Sequence, residues 1–196
     1  MARKIFLSLL GLCLVVTGFS QRVFVSAYML DKRDDPYSDT IYYSSKRLLT
    51  WDDFQGAPQP NSIAGAITCS GFAYNAGITI NEDVMHINIG VYTYFDKVKS
   101  WKKPIVHTDY HLEHEQHHFD ITLLGAERFI EEVRKAHFTR DNYKELLNEI
   151  FDRVYQDDSE LQETYDAQTE HSINKEMQYA WNLKINKAVG RENIDQ

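Results

Sequence analysis

His114-Glu115-Gln116-His117-His118, set inside the longer run from His107 to Arg134, is the stretch on which the reading of this chain turns. On a helix, residues four apart differ by only about 40° in direction, so His114 and His118 can present two imidazole nitrogens to one metal ion. Glu115 stands one position on, beside the same face. A carboxylate there can reach a water molecule on the metal without being a ligand, which is the arrangement of a zinc hydrolase.

The five-residue pattern alone can arise by chance in a chain with 8 histidines, so its context decides. At about 100° per residue, Leu112, Phe119, Leu123, Ala126, Ile130 and Val133 make one apolar stripe. His107, His111, His114 and His118 fall on another face, continued by Ile121, Gly125 and Phe129. A helix apolar on two sides is largely buried, and buried imidazoles need partners. Gly125 lies below the ligand pair, where a missing side chain leaves room. His117 points some 60 to 100° away from that pair and reads as a flanking residue. His107 and His111 read as packed or surface histidines.

Outward from the helix, the chain divides into a leader, a lead-in and one domain. Residues 1–20 begin with Arg3 and Lys4, run apolar from Ile5 to Phe19 and end on small residues, the pattern of a cleavable secretory signal too short to span a bilayer. The expected location is therefore periplasmic or secreted, with no stable membrane insertion after cleavage. Residues 21–40 mix charge and aromatics without period and are expected to be a poorly ordered lead-in. Residues 41–190 make a single domain.

The net charge of −8 becomes more negative by two once Arg3 and Lys4 leave, which argues against nucleic acid as partner. Cys69 is then the one remaining cysteine, so no internal disulfide can brace the fold. The hydrophobic fraction of 43 %, with 12 Tyr and 10 Phe, is enough for an ordinary globular core.

Ile41 to Trp51 reads as strand-like, and 52–62 with Pro58, Pro60 and Gly56 as loop. Ala64 to Ile80 and Val84 to Phe95 read as strands, the second alternating Met85, Ile87, Ile89, Val91 and Thr93 with His86, Asn88, Gly90 and Tyr92. Asn81-Glu82-Asp83 between them predicts a hairpin turn. Ser100 to Pro104 breaks the chain before the histidine helix, for which Thr108 or Asp109 is the expected cap. Two further helices follow, one with Leu147, Ile150, Phe151 and Val154 on a face and an interruption at Asp157-Asp158-Ser159, the other starting at Ser172. Strands first and helices after predict an α+β fold: N-terminal antiparallel strands and a hairpin, then the buried histidine helix and two more, in a zincin-like arrangement.

Zinc in a hydrolase takes three protein ligands and leaves a fourth position to water. Glu127 and Asp120 fail as the third on helical geometry. His171, Asp166 and Glu170 remain open, with His171 preferred because it precedes a helix start.

The set Leu49-Thr50-Trp51-Asp52-Asp53-Phe54, Ser100-Trp101, His114 to Ile121, Tyr165-Asp166 with Thr169 and His171, Gln178 and Trp181 resembles a bacterial family of exported, predicted zinc-dependent proteases, long carried as a domain of unknown function. The likeness runs from Arg47 to Leu183. It implies metallopeptidase activity on a peptide or protein substrate, Zn²⁺ as cofactor, Glu115 as catalytic base and His114, His118 and His171 as ligands. The family pattern usually has glycine where this chain has His117, and often glycine where it has Ser172.

For the oxyanion the candidates are Tyr165 and His111. Asp120 and Asp166 are expected to orient imidazoles or to be structural acids. Trp51, Trp101 and Trp181 are expected in packing. The rival class is a metal-stabilised envelope or binding protein whose zinc site is closed by a fourth ligand such as Asp166 or Glu170. An amidase acting on cell-wall peptides would share the hydrolytic chemistry.

Overall fold

Strands precede helices in the computed structural model, which describes residues 22–32, 35 and 37–191. The elements are β1 (Arg22–Met29), β2 (Thr40–Tyr42), β3 (Ala66–Ile67), β4 (Ser70–Asn81), β5 (Val84–Asp96), β6 (Trp101–Lys102), α1 (Asp109–Lys135), α2 (Tyr143–Thr169) and α3 (Lys175–Ala188). The fold is α+β, as the order of patterns predicts. The leader expected at residues 1–20 lies outside the described residues.

The hairpin forms as its alternation requires. β4 and β5 pair antiparallel from Asn81 opposite Val84 to Ser70 opposite Phe95, and the turn places Glu82 at φ 51°. β5 is the central strand, with β4 along one edge and β1 then β2 along the other. Its inward residues Met85, Ile87, Ile89 and Val91 pack on Ala126, Phe129 and Val133 of α1 and on Ile150 and Val154 of α2. Each such side chain contributes about 1.5–3 kcal/mol by leaving water.

Helix α1 is held on its other sides too. Phe119 joins Ile41, Leu49, Phe54 and Phe95, and Ile121 joins Tyr165, Trp181 and Ile185. From His114 to Thr122 the helix is buried nearly all round, which its His, Glu and Gln side chains tolerate because most of their polar atoms find partners in the protein. Thr108 caps it, accepting from the His111 amide, and Arg134 and Lys135 in its last turn complement the dipole. Trp101 and Trp181 are buried packing residues.

Four expectations are corrected. Residues 22–29 of the supposed lead-in are β1, parallel to β5; Val23, Val25 and Ala27 alternate inward, and a parallel partner so far along the chain leaves no local signal. The N-terminal strands are thus not all antiparallel. The strand expected over 41–51 shrinks to Thr40–Tyr42, followed by a 3₁₀ turn at Trp51–Asp53. Helix α2 runs unbroken through Asp157-Asp158-Ser159, with Asp157 paired to Arg128 at 2.7 Å. Helix α3 starts at Lys175 with Asn174 as its cap, because Ser172 belongs to a left-handed turn with Glu170 and His171 (φ 71°, 51° and 52°).

Candidate metal centre

Helix α1 carries His114 and His118 one turn apart, and α2 brings Asp166 to them. Asp166 Oδ1 lies 3.1 Å from Nε2 of His114 and 3.1 Å from Nε2 of His118. The three donor atoms lie within 4.8 Å of one another and could hold a metal ion. Two donors on one tetrahedral ion with bonds of about 2.0–2.1 Å sit about 3.3 Å apart, so the spacing of this cluster fits a small ion.

What aims the imidazoles is a pair of glutamines. Nδ1 of His114 donates to Gln178 Oε1 at 2.8 Å and Nδ1 of His118 to Gln162 Oε1 at 2.6 Å. With the proton assigned to Nδ1, Nε2 is left with its lone pair toward the metal position. Gln162 in turn donates to the His118 carbonyl and to Thr122, and Gln178 to the Tyr165 hydroxyl and to Asn182. Neither glutamine stood out as a site residue in the sequence reading. Gln178 was visible within the family likeness, and Gln162 only through its place one turn before Asp166.

Without an ion, the electrostatics favour a proton in its stead. Burial opposes charge on His118, but the hydrogen bond it donates to Asp166 and the charges of Glu115 and Asp166 outweigh it and push the imidazole up to about 9. Burial likewise opposes ionisation of Asp166, yet the two histidines hold its carboxyl well below the usual range. A cation placed between the three would meet the same demand as that proton.

Glu115 is buried next to the pair, its Oε2 accepting a 2.7 Å hydrogen bond from Thr68. The Thr68 hydroxyl also lies 3.1 Å from the Glu115 carbonyl. Thr68 follows β3 directly, so this short strand fixes the carboxylate. Glu115, the two histidines, Asp166 and His171 all line one cavity of about 550 Å³.

The other expected residues fall as follows. His171 is not one of the converging donors; Asp166 takes the third place, because a rigid helix aims it while the left-handed turn swings His171 outward, its side chain 45 % exposed. His171 stays close, with Nδ1 3.4 Å from Asp166 Oδ1. Glu170 is an exposed helix C-cap. Asp166, expected to orient an imidazole or serve as a structural acid, is thus a donor of the cluster itself.

Tyr165 cannot serve an oxyanion: it is fully buried, stacked on His114 at 4.7 Å, with its hydroxyl held between Gln178 and the His114 carbonyl. It positions His114 instead. Burial lifts its phenol far above the ordinary value. His111 lines the cavity, tied to Thr108 at 2.5 Å, and burial together with the His114 charge lowers its pKa. His107 is exposed and bonds the Ile105 carbonyl.

Asp120 does not touch the metal-site imidazoles. It is buried on the opposite side of α1, accepting from Tyr43 and Gln116 at 2.9 Å each and from Arg191. His117 is also on that side, wholly buried, with Nε2 3.2 Å from Asn186 Oδ1; burial pushes it down to about 4.

Among the described residues no helix is long and apolar enough to cross a membrane. No protein-family model matches the chain, and no curated protein or solved structure matches it either.

Proposed function

We propose that this chain is an exported zinc-dependent metallopeptidase that hydrolyses peptide bonds with Glu115 as general base. The observation that carries the proposal is the convergence of His114, His118 and Asp166 on one point of a solvent-connected cavity that also holds an uncoordinated carboxylate, Glu115. Two imidazoles and one carboxylate make a donor set that suits zinc, and three protein donors leave a tetrahedral ion one open position. The family likeness and the leader-like residues 1–20 support hydrolysis and export respectively.

Bound zinc would supply Lewis acidity, polarising the substrate carbonyl and bringing the pKa of water toward about 7. Glu115 then takes the proton of the attacking water and passes it to the departing amine. Thr68 keeps Oε2 occupied, which leaves the other carboxylate oxygen to take the proton. His111 and His171 are cavity groups able to donate to the developing oxyanion. Ile63, Val106 and Ile173 add apolar surface to the lining.

Glu115→Gln should retain one zinc per chain and lose about 10²–10⁴-fold in peptide hydrolysis, measured on a casein digest by mass spectrometry. His118→Ala should lose the zinc itself. A native protein that binds zinc and cuts no peptide overturns the proposal. A second reading rests on His171 at 3.4 Å from Asp166: a modest shift would add a fourth ligand and seal a structural site. In that case His171→Ala weakens zinc binding and a hydroxamate finds no position on the metal of the native protein.

A further inference from the structure

The cavity wall holds a carboxylate that the hydrolytic reading does not use. Among the described residues three acids line the cavity, Glu115, Asp158 and Asp166, and no lysine or arginine does. Asp166 belongs to the metal cluster and Glu115 is held by Thr68 as the base. Asp158 remains, and its Oδ1 is buried without a hydrogen-bond partner among the described residues. Leaving a buried carboxylate oxygen unmatched costs stability, which is why such atoms are rare and call for a reason.

The surroundings make room for it, and the Gln162 amide and the His118 charge favour its ionised form without offsetting its burial. A Cβ added at Gly125 of α1 would lie 2.7 Å from Asp158 Oδ1, so the missing side chain seats this carboxyl. The nearby cation, Arg128, pairs with the adjacent Asp157 at 2.7 Å instead. Burial accordingly pushes Asp158 up to about 6. Tyr155, three residues earlier on α2 and 52 % exposed, lines the same cavity. An aromatic face beside a carboxylate suits a cation on an apolar stem.

We propose that Asp158 is the specificity-determining residue of this cavity and receives the side chain of a lysine or arginine next to the scissile bond. The inference rests on the metallopeptidase reading. Distance separates it from the nearest alternative, recognition of a free N-terminal amine. Asp158, Gln162 and Asp166 occupy positions i, i+4 and i+8 of α2, which puts Asp158 about 12 Å along the helix from the metal cluster. An α-ammonium lies about 3 Å from the adjacent carbonyl, whereas a lysine or arginine head group reaches about 7–8 Å from it. With about 2 Å from metal to carbonyl oxygen and about 2.8 Å for the ion-pair contact added, the long side chain spans the gap, and rotation about the Cβ–Cγ bond of Asp158, a soft torsion, turns the carboxyl to meet it.

The test uses the zinc-loaded full chain and internally quenched peptides identical except for Lys, Arg, Leu or Glu at each position flanking the cleaved bond. At one position kcat/KM should favour Lys and Arg over Leu by at least tenfold. Asp158→Asn should cut that ratio about tenfold, and Asp158→Lys should turn the preference toward Glu. The thermal midpoint of Asp158→Asn should equal or exceed that of the native chain, since an unmatched charge is removed, which separates lost selectivity from unfolding. Equal rates on Lys, Leu and Glu peptides, all silenced by Glu115→Gln, overturn the specificity and leave the hydrolase standing. Release of N-terminal residues whatever their side chain overturns it too. Zinc bound with none of the peptides cut removes the hydrolase reading and this inference with it.

Discussion

Helix α1 carries two buried polar clusters on different sides, built from the same residue types and put to different use. On one side His114 and His118 meet Asp166 at the wall of a cavity. On the other, Asp120 meets Gln116, Tyr43 and Arg191, with His117 nearby in the interior. In the second cluster the chain supplies its own cation, the Arg191 guanidinium. In the first it supplies only imidazoles, which are neutral unless protonated, so the carboxylate keeps its demand for positive charge. A structural ion pair and a cluster able to hold a metal ion therefore differ here in who brings the cation.

Removing Asp120 should have the largest effect on stability and none on metal. Asp120→Ala strands Arg191 in a largely buried setting, a change that costs about 3–5 kcal/mol, while zinc content stays at the native value. Denaturant unfolding and metal analysis of one sample check both halves, and a fall in zinc content at temperatures where the variant is folded would break the separation between the clusters. Gln162→Ala acts the other way round. Loss of the group that orients His118 should weaken zinc about 10–100-fold, read by chelator competition.

The neighbours His117 and His118 sharpen the contrast through pH. In the metal-free protein His118 titrates near 9 against an ordinary 6.5, so the stability from its pairing with Asp166 is full below pH 6.5 and fades as pH rises through 9. His117 titrates near 4; its buried neutral form stabilises above pH 6.5, and that contribution is lost as pH falls toward 4. Thermal midpoints of the metal-free protein should thus fall between pH 6.5 and 9. Those of the zinc-loaded protein should stay level there, because a ligating His118 remains neutral. A smaller effect, about 1 kcal/mol, is expected from Asn174→Ala, which removes the α3 cap whose oxygen accepts from the Met177 amide. Zinc affinity should change little, unless the left-handed turn before the cap also depends on it.

Much of this was legible from residue spacing. The β4–β5 hairpin followed from strict alternation, and α1 with its cap at Thr108 from helical periodicity. Gly125 drew notice as an open position below the histidines, and it is occupied by Asp158 from α2. β1 escaped because its partner β5 lies far along the chain and parallel. Asp120, open in the sequence between orienting an imidazole and serving as a structural acid, is the latter, and its partner Arg191 stands 71 residues away.

His171 was preferred over Asp166 as third donor because it adjoined a presumed helix start at Ser172. Three consecutive left-handed residues there, in positions glycine usually fills, carry the chain past the end of α2 and leave His171 at the rim.

By itself the sequence determined the pair of imidazoles and the adjacent carboxylate, since a separation of four on an α-helix allows only one relative direction. Tertiary structure alone decided which acid completes the triad, which amides aim the rings and which carboxylate is neutralised from within. Those choices join residues 44 to 71 positions apart, and they depend on how α2 and α3 lie across α1, a matter of side-chain packing that no local pattern encodes.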